Sequence, residues 1–287
     1  MTNPVDIDQL ARMMDALHAA HRLPEGVVVL PEHYKLESTE VFQATRNRLR
    51  GRFSTALVED FANYFARNAK ADKLAHAPIF IAPDALHAVA VLDWMTGDDQ
   101  PGHMQHCAVC VPQALPEWAS LQAIHNKPLS QDQMIDLVED MAGLVSAFDD
   151  EGHGMPPSVL VGAFRNARIT KQSEHVQALE DSSVKRSAME TIDANASRRV
   201  PPKMTFHVVP FAEFSARAVT ARVIMRAHNN EPAFTLRIVN YEGLQRDIAL
   251  EFVALIQRAI TGFFDGEGND APVVYVGGLS FPTRNEV

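Results

Sequence analysis

Four arginines stand at every second position in the run RNRLRGR: Arg46, Arg48, Arg50 and Arg52. On an extended strand all four project from one face at about 6.6 to 6.8 Å intervals, close to the interval of successive phosphates along a nucleic-acid strand. The guanidinium fork pairs with phosphate bidentately, so this spacing predicts an anion or nucleic-acid contact. The same stripe would also protect an edge strand from pairing with another chain, or answer an acidic surface on a second subunit. Arg217, Arg222 and Arg226 form a second, weaker set, with Arg222 and Arg226 on one strand face and Arg217 on the other.

The segment GHMQHCAVC gathers His103, His106, Cys107 and Cys110, ligand types that suit zinc. A second half-site is missing. If His106 and the residues after it form a strand, Cys107 and Cys110 point to opposite faces and cannot share an ion. Buried strand cysteines, with no metal and no cofactor, are therefore the expectation. Asp84, His87, Asp93, Asp98, Asp99 and His103 recur without matching an acid–base or hydrolytic template, and Asp98 and Asp99 suit a turn. Glu151 to Gly154 reads as a loop. No phosphate-binding loop, dinucleotide fingerprint, nucleophile elbow or zincin motif is present. The expectation is a non-enzymatic protein with no catalytic residues. A metal-dependent enzyme using His103, His106 and nearby acids stays open as a third class.

Positioning these groups requires a folded frame, and 287 residues, 46% of them hydrophobic, supply one without staples. With 26 basic and 36 acidic residues the net charge is −10, which argues against coating nucleic acid by bulk charge and leaves local patches to do it. Residues 35–73 and 165–203 each carry eight bases and five acids, whereas 128–164 carries seven acids and no base. Such segregation suits two cationic surfaces and an anionic helix, or simply solvated faces. Two cysteines, no basic leader and no long apolar run predict a protein of the reducing host-cell cytoplasm with no membrane partner.

Helix and strand periods alternate, which predicts an α+β fold of antiparallel sheets with flanking amphipathic helices. Ile7, Leu10, Met13, Met14 and Leu17 suggest an opening helix, and Val27 to Leu30 a strand. Leu57, Val58, Phe61 and Phe65 share a helical face beginning after Ser54 or Thr55. PIFIAP, HAVAVLDW and HCAVCVP read as a small antiparallel sheet, the last two as a hairpin. Ser130 and Gln133 form a capping-box pattern ahead of Met134, Leu137, Val138, Met141, Leu144, Val145 and Phe148, read as one continuous helical stripe. Its other face carries Asp132, Asp136, Glu139 and Asp140. Residues 166–200 are polar and aperiodic. Beyond them lie a strand, a long hairpin, and a helix from about Gly243 to Thr261. The organisation expected is an N-terminal half (1–163), a polar arm or linker (164–203) and a C-terminal hairpin-and-helix half (204–287), compatible with one continuous fold.

The order of LPEHYKLESTE, the arginine stripe, STALVEDFANYF, PIFIAP, the cysteine hairpin, Pro116-Glu117-Trp118, Leu129-Ser130-Gln131 and PPKMTFHVVPF resembles the phage and prophage family that includes YfdQ-like proteins. The likeness covers most of the chain except residues 166–200. It implies a phage-encoded cytoplasmic protein of a DNA-metabolism or early-gene context, and no catalytic residues. The expected function is that of an oligomeric accessory protein binding nucleic acid, single-stranded or duplex DNA, through Arg46, Arg48, Arg50 and Arg52. The alternative is a self-assembling structural or anti-defence protein that acts on a host protein without touching DNA.

Overall fold

Apolar residues at alternate positions after residue 203 build three strands whose inner faces bury Met204, Phe206, Val219, Ala221, Phe234, Leu236 and Ile238. The computed structural model describes residues 21–22, 28–29, 45, 49–69, 77–95, 100–149, 151–167, 200–228, 231–263 and 272–279. Two compact units divide between Leu49 and Arg50. In the first, β1 (His21–Arg22) pairs antiparallel with β2 (Val28–Val29).

The second unit carries β3 (Gly51–Thr55), α1 (Val58–Asn68), β4 (Ile79–Ala82), β5 (His87–Val91), β6 (His106–Cys110), α2 (Pro116–Ile124), β7 (Pro128–Leu129) and α3 (Gln131–Asp140). There follow β8 (Val145–Phe148), β9 (Gly154–Met155), α4 (Pro157–Arg165), β10 (Lys203–Val208), β11 (Arg217–His228), β12 (Glu231–Ile238), α5 (Tyr241–Thr261) and β13 (Val274–Val276). The architecture is α+β. One sheet is antiparallel throughout, in the order β7-β12-β11-β10-β8-β9. The other runs β13-β4-β5-β6-β3, and here the expected small antiparallel sheet proves to be mixed: β4, β5 and β6 are antiparallel, while β13 and β3 add in parallel at the edges. Parallel neighbours need long crossovers, which local hairpin signals do not reveal.

Both sheets contribute to one core, into which α1 lays Val58, Phe61 and Phe65 and α5 lays Ile248, Phe252, Leu255, Ile256 and Ile260. On the antiparallel sheet Phe164 of α4 meets Phe234 edge-on, ring centroids 5.1 Å apart. Helix α1 begins after Thr55, as expected, with Ser54 and Thr55 themselves in β3. Its N-cap, Leu57, has no capping side chain; the Glu213 carboxylate instead accepts the N–H groups of Val58 (2.5 Å) and Glu59 (3.0 Å). A cap delivered from 155 residues away leaves no local signature.

The stripe from Met134 to Phe148 is the main correction. The capping box forms as expected, but α3 ends at Asp140, residues 141–144 turn, and β8 continues as a strand paired with β10. Gly143 weakens the helix in this stretch, and the four-residue VSAF run satisfies a period of two as readily as 3.6.

Candidate functional site

Antiparallel pairing places directly opposite residues on the same face. In the six-stranded sheet Lys203 stands opposite Arg222, and Arg222 opposite Arg237, so three cations form a row across β10, β11 and β12. All three are exposed. Strand spacing sets them roughly 4.8 Å apart at their backbones. Arg226, four residues along β11 and also exposed, extends the patch by roughly 13 Å. Among the described residues none of the four makes an ion pair. Like charges directly opposite each other destabilise a sheet, so the row carries a repulsion that no ion pair among the described residues offsets.

This face lies opposite the one on which α4 packs. Thr205, Thr220 and Ser146 occupy its next row, with Thr205 Oγ1 3.1 Å from Thr220 Oγ1 and the Ser146 hydroxyl donating to the Thr205 carbonyl (3.4 Å). Beside the cation row, the β8–β10 register that sets Ala147 opposite Met204 brings Phe148 to the position next to Lys203. Phe148 is 55% exposed. The turn that follows is held by Asp149, whose carboxylate accepts the N–H groups of His153 (2.8 Å) and Glu151 (3.0 Å); the His153 N–H foremost keeps this carboxyl below its usual range.

Two concavities of about 450 and 680 Å³ flank Arg237 and share Asn126. The smaller adds Arg222, His125, Tyr241 and Glu242; its His125 ring stacks on Tyr241 at 4.3 Å and accepts the Ile238 N–H at Nδ1 (3.2 Å). The larger has an apolar floor of Pro128, Ile224, Pro232 and Ala233, rimmed by Arg226, Arg237 and Glu231. A further cavity of about 420 Å³ beside Trp118 mixes Asp84, Glu242 and Arg246, and so presents no single sign of charge.

Apart from Arg222 and Arg226, the residues singled out from sequence fall elsewhere. Arg46 and Arg48 lie outside the described residues. Arg50 and Arg52 are exposed, and the regular strand begins only at Gly51, whose φ of 140° favours glycine. Arg52 lies on edge strand β3 opposite Cys107, and its charge opposes protonation of His87, whose pKa is lowered first by burial and then by Arg52. Arg217 faces away from the cation row and pairs with Glu251 at 2.5 Å.

Cys107 and Cys110 do lie on opposite faces of β6: Cys110 is buried in the main core, while Cys107 packs with the small cluster around Val89, Val91 and Val109. Burial raises the Cys107 thiol and, with Glu213, pushes Cys110 up to about 12. His103 is exposed, whereas His106 is buried with Nε2 3.0 Å from the Tyr64 hydroxyl and its N–H donated to Asp93 (2.9 Å). Burial lowers the His106 pKa against the raising effect of Asp93. Among the described residues no three His, Cys, Asp or Glu side chains converge on a metal position. Asp98 and Asp99, the opening-helix residues and 168–199 lie outside the described residues.

Sequence reasoning found Arg222 and Arg226 but missed Lys203, Arg237 and Phe148. The signal for Arg237 was the two-residue connection between His228 and Glu231, since counting outward from it pairs Arg222 with Arg237. Lys203 and Phe148 carried no comparable local signal. Among the described residues no helix is long and apolar enough to cross a membrane. A family model described as an uncharacterized conserved protein (DUF2303) matches residues 7–264. No curated protein and no solved structure matches the chain.

Proposed function

The chain belongs to the DUF2303 family, whose description names no activity, and from its surface chemistry we propose that it binds nucleic acid by contact with backbone phosphates, without catalysis. The observation that carries this reading is the row Lys203, Arg222 and Arg237, with Arg226 beside it, on a chain whose net charge is −10. Cations gathered on one face against that background create a local field that a polyanion answers. The stripe Arg46, Arg48, Arg50 and Arg52 is a second phosphate-contacting element in this proposal. The order of motifs along the chain resembles YfdQ-like phage and prophage proteins, and on that likeness the proposal extends to an oligomeric accessory protein of DNA metabolism or recombination in the host cytoplasm.

A second reading rests on the exposed acids Asp132, Asp136, Glu139 and Asp140 of α3. Docked on the cation row of another copy, they would build an assembly that leaves DNA alone, as a structural or anti-defence protein does. Size-exclusion chromatography with light scattering, with and without single-stranded and duplex DNA at low and moderate salt, separates the two. A discrete species that shifts with DNA at low salt supports the first reading. A species indifferent to DNA that dissociates as salt rises overturns it in favour of the second.

A further inference from the structure

Phe148 is an apolar ring set beside a row of cations, on a face with no need of it for packing: it is 55% exposed and stands next to Lys203 in the β8–β10 register. Phosphate contacts alone explain Lys203, Arg222 and Arg237, but not an exposed phenyl group at the end of their row. Nor do they explain the apolar floor of Pro128, Ile224, Pro232 and Ala233 in the concavity of about 680 Å³ on the far side of Arg237. Bases supply the missing partner. A duplex hides its base faces in the stack and offers only phosphates and groove edges to a sheet. A single strand offers both backbone charge and unstacked π faces, and aromatic side chains in a cationic groove are how such strands are held.

Resting on the nucleic-acid reading above, we infer that this face selects single-stranded DNA, with one base stacked on Phe148, the backbone crossing Lys203, Arg222 and Arg237, and a further base over the apolar floor between Ile224 and Pro232. Phe148 to Arg237 spans three strand spacings, about 14 Å, which accommodates a few nucleotides of extended strand. The hydroxyls nearest the row, Thr205, Thr220 and Ser146, bond one another, the Thr205 carbonyl or His207 within the sheet, so recognition on this face rests on charge and stacking, which a deoxyribose strand supplies in full.

The test is fluorescence anisotropy of the full chain with a labelled 20-nucleotide oligothymidine, an oligouridine of equal length and a mixed-sequence duplex. The expected order is oligothymidine tightest, with duplex at least about tenfold weaker. Phe148→Ala weakens oligothymidine by at least about fivefold, leaves duplex binding unchanged and does not alter the salt slope, because stacking releases no counterions. Phe148→Trp retains affinity, and its indole fluorescence is quenched on binding. Equal or tighter duplex binding, tighter oligouridine binding, or an unmoved Phe148→Ala affinity overturns the single-strand inference. If Arg222→Ala/Arg237→Ala still weakens every probe in that case, phosphate binding stands alone. If no probe binds, both readings fall.

Discussion

Replacing Arg222 and Arg237 together by alanine isolates the electrostatics of the sheet face. Four cations, Lys203, Arg222, Arg226 and Arg237, line it, and each neutralised phosphate of a single strand contributes about −0.7 to the slope of log affinity against log salt. The wild-type slope is then no shallower than about −2.8, a loss of roughly 50-fold between about 50 and 200 mM salt. Removing two contacts brings the slope down by about 1.4, so that this face alone gives roughly a sevenfold loss over the same range. Anisotropy titrations at four or five salt concentrations measure it directly. The two side chains stand directly opposite each other with no ion pair among the described residues, so their removal relieves repulsion of about 0.2 to 1 kcal/mol. Urea unfolding of the variant should therefore match or exceed wild type. An unchanged slope refutes the assignment of this face, and a destabilised variant refutes the account of the row as an unpaired surface.

Other perturbations test the frame. Arg50→Ala/Arg52→Ala should flatten the salt slope by about as much again, additively with the first pair, if the N-terminal stripe contacts phosphate; a slope unchanged by this pair would make the stripe an edge device only. Glu213→Ala removes the cap that serves Val58 and Glu59 and should cost about 1 kcal/mol in urea unfolding, with α1 first to lose amide-exchange protection. Glu251→Gln strands the half-buried Arg217, whose Nε already lacks a partner among the described residues, and should cost about 1 to 3 kcal/mol. Burial pushes the Glu251 carboxyl up, but the Ser215 and Arg217 hydrogen bonds outweigh it. The folded pKa is thus depressed, and the stability this group contributes is present above the ordinary 4.5 and lost as pH falls below it. Cys110 runs the other way. Folding holds its proton to about pH 12, so above the ordinary value of 9 the unfolded chain binds fewer protons and stability falls, a decline that Cys110→Ala should remove. Intact protein should accordingly leave Cys110 unalkylated at pH 8, with labelling only on unfolding.

Much of the frame was legible because its signals are local. The capping box of α3, the Cys107 and Cys110 alternation, the long hairpin and the apolar stripe of α5 each depend on residues within a few positions of one another, and each formed where its period placed it. Arg222 of the cation row and Arg226 beside it were visible in the same way, since they differ by an even number of residues.

What remained hidden depended on partners distant in the chain. Glu213 caps α1 from another part of the fold, and β3 joins β6 in parallel across the 50 residues that separate the two strands. Lys203 becomes a neighbour of Arg222 only through the β10–β11 register. Phe148 is the sharpest case. By itself its spacing from Leu144 and Met141 reads as the buried side of a helix. A strand assignment for VSAF fixes only which residues alternate, not which side is covered. That choice was made by β10, which pairs with Ser146 and Ala147, and by α4, which occupies the inner face and leaves Phe148 outside beside the cations. Composition and period determined that this chain makes amphipathic helices and alternating strands; which alternate face is open, and which charges gather on it, was decided by strand register and by the helices that cover the other side.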